Sequence, residues 1–324
     1  MLIGDYRVET IPDTEFRLDG GAMFGVVPRV LWEKVSPPDE FNRIKLNTNC
    51  LFVETASEKI LIETGIGEKW TTKQSEMYGI FRRNTFADSL FQKTGFQPED
   101  ISIVVNTHLH FDHAGGNTIW DLGLRIADCE IESDAIPGDT EKNSRCQNPK
   151  PENRATNPKS QIPNPKSVVP QFPNARYFVS KSEYEHAENP HERDRASYLP
   201  ENWRPLLQSG QLELKPDEYE VVEGLTMKQL RGHNQAMQTF CLRRGGETLF
   251  GFADLVPTRH HLPLAWIMGY DLFPTETLEV KKKLLPLAVK ENWLCFFYHD
   301  FEQPLCRLVQ KDGKLKAVSV LENE

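Results

Sequence analysis

The stretch Thr107-His-Leu-His-Phe-Asp-His-Ala-Gly-Gly116 follows the apolar run Ile101-Ser-Ile-Val-Val105. It brings together four side chains of metal-ligand type, namely His108, His110, Asp112 and His113. Neutral imidazole and carboxylate are the usual protein ligands of zinc and of harder first-row metals. Because four ligands so close together exceed what one tetrahedral ion takes from a single segment, the stretch predicts two metal ions that share this loop.

The position of this stretch after a predicted buried strand favours a site at a sheet edge, where open α/β layers build their sites. His108 and His110 are two residues apart, so they point the same way if strand geometry continues through them. Asp112, two residues after His110, would point in the same direction, and His113 would then lie on the turn that follows the strand. Of the 9 histidines in the chain, this loop holds three, which disfavours an ordinary solvated loop.

One segment cannot close a metal site, so further ligands are expected elsewhere in the chain. His233, Asp254 and His299 each follow a short apolar run. These runs are Leu225-Thr-Met-Lys-Gln-Leu230, Leu249-Phe-Gly-Phe-Ala253 and Leu294-Cys-Phe-Phe-Tyr298. Taken singly, each of the three residues is more typical of a structural role. Together with the first cluster they form a candidate set of seven metal ligands.

The order of these residues resembles the metallo-β-lactamase superfamily of binuclear hydrolases. That order is an H-x-H-x-D-H run, then a Gly-His pair, then an Asp at the end of a strand and finally a late His. Three flanking phrases look closer to its N-acyl-homoserine-lactonase-like branch, the quorum-quenching lactonases. They are Asp19-Gly-Gly-Ala-Met-Phe-Gly-Val-Val-Pro28, Ile60-Leu-Ile-Glu-Thr-Gly-Ile-Gly67 and Ala253-Asp-Leu-Val-Pro-Thr258.

The resemblance implies a role for each candidate ligand. His108, His110 and His233 are expected to hold the first metal. Asp112, His113 and His299 are expected to hold the second, with Asp254 bridging both ions. Asp112 and Asp254 are the expected catalytic residues. Two loops depart from the family pattern, at Gly232-His-Asn-Gln-Ala-Met237 and at Ala253, where many members have Gly. Neither change removes a ligand, but both leave substrate preference less determined than metal binding.

The leading functional hypothesis is a binuclear hydrolase that uses a metal-bridging hydroxide on a lactone or ester, such as an N-acyl-homoserine lactone. The alternative is an organophosphate, phosphodiester or β-lactam hydrolase on the same metal centre. A third class, an iron redox protein, is disfavoured because His110 stands where the flavodiiron pattern resembles H-x-E-x-D. A binding protein without activity is least favoured because no ligand is missing. The two expected metal ions are most simply both zinc, and manganese, iron or cobalt also suit these ligands.

Composition restricts the class of partner and the compartment. The 324 residues carry 38 Lys and Arg against 47 Asp and Glu, a net charge of -9, which argues against a nonspecific nucleic-acid binder. We expect a small-molecule substrate, no nucleic acid and no membrane partner, and leave a homodimer open. The six cysteines have no C-x-x-C spacing, so we expect buried free thiols and a cytoplasmic location. They are Cys50, Cys129, Cys146, Cys241, Cys295 and Cys306.

Apolar periodicity and turn residues predict the elements. Hairpins are predicted at 44–63 and 307–319, strands at 101–105 and 177–180, and several short strands within 211–255, where Gly245-Gly246 turns. Helices are predicted at 84–95, 181–187, 200–210 and 275–290. The fold class is α/β, and the resemblance implies a four-layer αββα sandwich of two mixed sheets with helices outside. We expect a single domain over 1–324, with a Pro/Asn-rich low-complexity surface insertion at about 141–170.

Residues for substrate contact are harder to assign from sequence. Six apolar or aromatic residues near the family-like phrases fit either an acyl pocket or ordinary packing, namely Met23, Phe24, Val26, Trp32, Trp266 and Tyr270. The roles of His260 and His261 stay open, with a surface position favoured. His186 and His191 are expected to be exposed.

Overall fold

The structure, a computed structural model, describes residues 1–121 and 167–320. Its strands are Leu2–Ile3 (β1), Tyr6–Asp19 (β2), Arg43–Glu54 (β3), Lys59–Ile62 (β4), Ile103–Val105 (β5), Thr118–Trp120 (β6), Val168–Pro170 (β7), Arg176–Ser180 (β8), Leu212–Lys215 (β9), Glu218–Val222 (β10), Leu225–Gln229 (β11), Gln238–Arg244 (β12), Glu247–Gly251 (β13), Leu294–Phe296 (β14), Leu305–Lys311 (β15) and Lys314–Ser319 (β16). Its α-helices are Gly20–Phe24 (α1), Arg29–Trp32 (α2), Thr72–Met77 (α3), Phe86–Thr94 (α4), Phe111–Ala114 (α5), Lys181–Glu188 (α6), Arg204–Gln208 (α7) and Pro274–Lys290 (α8).

Two large mixed sheets organise the part of the chain that is described. The first has the order β1-β2-β3-β4-β5-β8-β9, antiparallel up to β4 and parallel from β4 onward. The second has the order β10-β11-β12-β13-β14-β15-β16 and is antiparallel apart from the β13–β14 pair. This confirms the predicted fold class of an α/β protein with two mixed sheets.

The main apolar core lies between these sheets. It contains Phe52 and Val104 from the first sheet together with Phe240 and Leu294 from the second. Side chains alternate across a strand, so Leu294 and Phe296 of β14 face this core while Cys295 faces the other side. There Cys295 packs with Leu285 and Ala288, which places α8 on the outer face of the second sheet.

Most of the predicted elements are confirmed. The hairpin β3–β4, the helices α4, α6 and α8, and the hairpin β15–β16 lie where the periodicity predicted them. Helix α4 begins at a capping box in which Thr85 and Asp88 bond each other's backbone N–H, and it ends at Gly95 with φ 83°. The helix predicted at 200–210 is shorter: a 3-10 turn at Pro200–Asn202 precedes α7, which begins at Arg204.

One expectation about the ligand loop is wrong. Strand geometry does not continue through it, because β5 ends at Val105 and the loop folds into the short helix α5. His110 precedes that helix, so Asp112 and His113 lie on a helical turn rather than in strand phase. Gly115, directly after α5, packs closely on the loop after β4: an added Cβ atom would lie 2.1 Å from the carbonyl oxygen of Ile66, so only glycine fits there.

The chain divides into two units, Met1–Ile119 with Val168–Glu324, and Trp120–Ser167. Within the described part of the smaller unit, the Ser167 hydroxyl donates to Asp121 Oδ2 at 3.1 Å. Of the insertion predicted at 141–170, residues 141–166 lie outside the described residues, and Val168–Pro170 forms β7. Cys50, Cys295 and Cys306 are buried free thiols, as predicted, and Cys241 is a free thiol that is only half-buried. Cys129 and Cys146 lie outside the described residues. No helix within residues 1–121 and 167–320 has the length and apolar character needed to cross a membrane.

Candidate metal centre

The seven predicted ligands come together at one edge of the two sheets, and all of them are buried. Each arrives on a segment that follows a strand. The loop after β5 carries four of them, and the segments after β11, β13 and β14 carry His233, Asp254 and His299. Two groups within the set could hold a metal ion, with ligand atoms within 4.8 Å of one another: His108, His110, His233 and Asp254, and Asp112, His113 and His299.

Asp254 belongs to the first of these groups and also faces the second. Its Oδ1 is 3.2 Å from both His113 Nε2 and His299 Nε2. Its Oδ2 is 3.4 Å from His233 Nε2 and 4.0 Å from His108 Nε2. One carboxylate oxygen thus faces each group, which is the arrangement that a ligand shared by two cations requires. The preceding residue, Ala253, takes φ 47°, a left-handed conformation that glycine adopts more easily.

Four of the five histidines are held by a hydrogen bond on the ring nitrogen that faces away from the cluster. His108 Nδ1 lies 2.9 Å from Thr107 Oγ1, and His113 Nδ1 lies 3.2 Å from Glu63 Oε1. His233 Nδ1 lies 3.0 Å from Asp271 Oδ1, and His299 Nδ1 lies 3.0 Å from the Asn47 carbonyl oxygen. Such partners fix the ring orientation of metal-binding histidines.

The chemistry of this donor set fits metal ions. His108 Nε2 points toward Asp254, is buried and has no hydrogen-bond partner among the described residues. A buried ring nitrogen without a partner is costly, and a cation at the centre of the group would satisfy it. Burial lowers the pKa of both His108 and His110 well below the usual range, so both imidazoles are neutral, the form that binds metal.

Charged neighbours shift the pKa values of His113 and Asp254 in opposite directions. Burial acts to lower the pKa of His113, but Asp254 and Glu63 outweigh it and raise that pKa well above its usual value. The pKa of Asp254 falls well below its usual range because His113, His299 and His233 together outweigh the effect of burial. Asp254 is therefore a carboxylate at neutral pH, which is the state a metal ligand needs.

The family comparison agrees with this geometry. A family model described as the metallo-beta-lactamase superfamily matches residues 43–143. A solved structure of a probable metal-dependent hydrolase from Staphylococcus aureus is 25% identical, with a TM-score of 0.78, over 98% of this chain and 97% of that one. Residues 43–143 therefore belong to a metallo-β-lactamase domain, and the protein is a metallo-hydrolase.

Two further relatives of this metallo-hydrolase have lactonase names. An N-acyl homoserine lactonase of Bacillus cereus is 23% identical over 282 residues, which are 81% of this chain and 84% of the relative. The structure of AidC, a dizinc quorum-quenching lactonase in complex with its product, is 19% identical, with a TM-score of 0.69. That alignment covers 98% of this chain and 96% of AidC.

A cavity of about 180 Å³ opens onto the ligand cluster of the metallo-hydrolase. Five of the seven candidate ligands line it, namely His110, Asp112, His233, Asp254 and His299. One wall is apolar and aromatic, formed by Leu18, Met23, Tyr78, Phe111, Met268 and Tyr270. The other wall is the segment Arg193, Asp194, Ala196 and Ser197.

The six residues predicted as possible substrate contacts do not all reach the cavity. Met23 and Tyr270 line the cavity. Phe24 and Trp32 are fully buried and stack on each other, whereas Val26 is 91% exposed. Trp266 packs edge-on against Phe24.

Two histidines outside the candidate ligands are buried, although they were expected at the surface. His261 is buried, not at the surface: its Nδ1 lies 2.8 Å from Thr258 Oγ1 and its Nε2 lies 2.9 Å from the Met23 carbonyl oxygen. Burial lowers the pKa of His261 to about 3, so it is neutral and structural. His186 is also buried, contrary to expectation, while His191 is exposed as expected.

Proposed function

We propose that this metallo-hydrolase is a binuclear lactonase that opens an N-acyl-homoserine lactone or a closely related lactone. The position of Asp254, with one oxygen toward each candidate ligand group, is the observation that carries the binuclear proposal. The lactonase relatives, at low identity, favour the substrate class.

The proposed ligand assignment follows the two groups. His108, His110 and His233 hold one ion, Asp112, His113 and His299 hold the other, and Asp254 is shared. Zinc suits these ligands best, and manganese, iron or cobalt also fit them. Two bound divalent ions would supply an activated water at neutral pH and polarise the lactone carbonyl.

The protein's own residues orient and enclose the reacting groups. Glu63, Thr107 and Asp271 hold three of the ligand rings by their outward nitrogens. The Tyr298 hydroxyl donates to the Asp112 carbonyl oxygen at 2.7 Å and so holds the helical turn that carries Asp112 and His113. The apolar wall of the cavity suits the acyl chain of the substrate, because it removes that chain from water.

The proposal also covers the domain organisation, the binding partner and the cellular location of the protein. We infer a single metallo-β-lactamase-like domain over residues 1–324 that carries a surface insertion at about 141–170. Its partner is a small-molecule substrate, and a cytoplasmic location suits the free cysteines.

Metal content measured together with a substrate panel tests this function. We expect about two divalent ions per chain and turnover of acyl-homoserine lactones. His108→Ala and Asp254→Ala should each lower kcat/KM by about 100-fold or more, because each removes a ligand. His191→Ala is the matched control, since this histidine is exposed and lies outside the candidate groups.

Two outcomes would contradict the proposal. Turnover of aryl phosphotriesters or phosphodiesters, without turnover of lactones, would identify a different hydrolase on the same centre. A protein that purifies without metal and cannot be reloaded would refute the ligand assignment itself.

A further inference from the structure

The polar wall of the cavity contains a buried carboxylate that the proposed metal chemistry does not use. Asp194 lines the cavity, yet its side chain is only 4% exposed. Among the described residues that line this cavity, the other carboxylates are Asp112 and Asp254, and both are candidate ligands.

The two oxygens of Asp194 differ in their partners. Oδ2 lies 2.7 Å from His186 Nε2 on helix α6. Oδ1 is buried and has no hydrogen-bond partner among the described residues. Because a buried carboxylate oxygen without a donor is costly, Oδ1 is expected to receive a donor from the cavity when a ligand is bound.

The surrounding structure holds this carboxylate in place beside the metal centre. The Asp194 backbone N–H donates to the His191 carbonyl oxygen at 3.2 Å, and its own carbonyl accepts from Ser197 N at 2.8 Å. Four residues later, Tyr198 pairs with His110 in an antiparallel bridge, and the two rings are 4.6 Å apart. Asp194 therefore lies on the wall next to a candidate ligand of the first metal.

We propose that Asp194 Oδ1 accepts the amide N–H of the substrate and so selects lactones that bear an N–H next to the reacting carbonyl. This inference rests on the proposed lactonase function. In an N-acyl-homoserine lactone, the amide nitrogen is bonded to the ring carbon adjacent to the lactone carbonyl. A substrate whose carbonyl lies at the metal ligands therefore carries its N–H within reach of the same cavity wall.

The chemistry of this contact separates substrate classes. A carboxylate accepts hydrogen bonds and cannot donate them, so it favours an amide N–H. Aryl phosphotriesters and lactones with an alkyl group in place of the amide have no such donor. With these substrates Asp194 Oδ1 would stay without a hydrogen-bond donor. Because an unpaired buried oxygen is costly, the site should discriminate against substrates that lack the N–H.

Matched substrates and matched variants test the inference. The substrates are N-hexanoyl-homoserine lactone, its N-methylated analogue and a γ-butyrolactone with an alkyl chain at the same ring carbon. The metal-loaded wild type should prefer the N–H substrate by about 10-fold to 100-fold in kcat/KM. In Asp194→Ala that ratio should fall to within about threefold of one, because the acceptor is gone.

A second variant separates the loss of the hydrogen-bond acceptor from a folding defect. Asp194→Asn keeps the side-chain shape, and its Oδ1 can accept from His186 while its amide NH₂ then faces the cavity. Its ratio should fall as in Asp194→Ala. Glu192→Ala, on the same segment with a side chain that is 81% exposed, is the control and should keep the wild-type ratio.

The possible outcomes separate this inference from the proposed function. A wild-type ratio near one would mean that Oδ1 is satisfied by water, and the inference would be wrong. If Asp194→Ala and Asp194→Asn lose activity equally on all three substrates, so that the ratio persists, Asp194 has only a structural role. If the metal-loaded wild type hydrolyses no lactone at all, the proposed function itself fails and this inference fails with it.

Discussion

Asp271 illustrates how a carboxylate outside the ligand set determines the geometry of the cluster. Its Oδ1 lies 3.0 Å from His233 Nδ1, and its Oδ2 accepts from Thr277 Oγ1 at 2.6 Å. All three side chains are buried, so the ring of His233 has little freedom to rotate. Its Nε2 is thereby kept toward Asp254, at 3.4 Å from Oδ2.

Removal of this carboxylate should weaken metal binding without removing a ligand. We expect Asp271→Ala to lower the affinity of the first metal by about 10-fold to 100-fold, since partners of this kind orient and polarise the ligand imidazole. Competition with a chromophoric chelator measures the affinity. Thr85→Ala is the control: it removes the cap of α4, costs about 1 kcal/mol of stability and should leave metal affinity unchanged. Equal affinities in Asp271→Ala and wild type would contradict the role of Asp271.

The contrast between the ligands and their supporting residues explains what sequence could predict. The candidate ligands have a signal in the sequence because His108, His110, Asp112 and His113 lie within six residues and the other three follow apolar runs. Asp271, Glu63 and Asp194 carry no such local signal, because each is one of 47 acidic residues and meets its partner only through the fold. Glu63 lies within a family-like phrase of the sequence, but only the fold brings its Oε1 to 3.2 Å from His113 Nδ1.

Helix α8 supports the cavity through one buried lysine. Lys281 is fully buried, and its ammonium donates to the carbonyl oxygens of His261, Pro263 and Trp266 at 2.6, 2.9 and 2.8 Å. This loop runs on to Met268 and Tyr270, which line the cavity. The periodicity of α8 predicted the helix, but no local pattern indicated that its lysine points inward.

Lys281 gives a prediction about pH. Burial lowers the pKa of Lys281 to about 7, whereas an unfolded lysine titrates near about 10.4. Between these values the unfolded state binds the extra proton, so this group makes the native state more stable as the pH rises. The stability advantage of wild type over Lys281→Met should therefore grow by about 2 kcal/mol from pH 7 to pH 9. Urea unfolding at both pH values measures it, and an advantage that shrinks or stays constant would show that the three carbonyls keep the ammonium charged.

At the level of the fold, hairpins and helices were predictable because their signals are local, as in the capping box of α4 and the hairpin β15–β16. The order of strands within each sheet depends on contacts between distant segments, such as β5 beside β8. The strand spacing of the ligand loop did not predict α5, and the close contact of Gly115 with the loop after β4 joins segments that are distant in sequence.

If the candidate ligand cluster binds metal as proposed, metal binding should be coupled to the stability of the entire fold. Its members come from both sheets, and its histidines and aspartates are buried within a few ångströms of one another. Unfolding would scatter these segments, so cations that bind the folded protein alone should stabilise it by mass action. With free metal at about 1,000 times Kd, each site contributes about 4 kcal/mol, which should raise Tm by about 10 °C or more.

Thermal unfolding with and without a chelator measures this coupling, and one variant shows where it originates. Asp254→Asn keeps the shape of the shared ligand but lacks the negative charge that both candidate groups face. Its metal-dependent increase in Tm should be much smaller than that of wild type, because both sites lose the same carboxylate. A wild-type Tm that does not respond to metal would contradict a centre that binds cations in the folded state. An unchanged increase in Asp254→Asn would instead refute the shared role of Asp254, since each ion would then be held by its histidines and Asp112 alone.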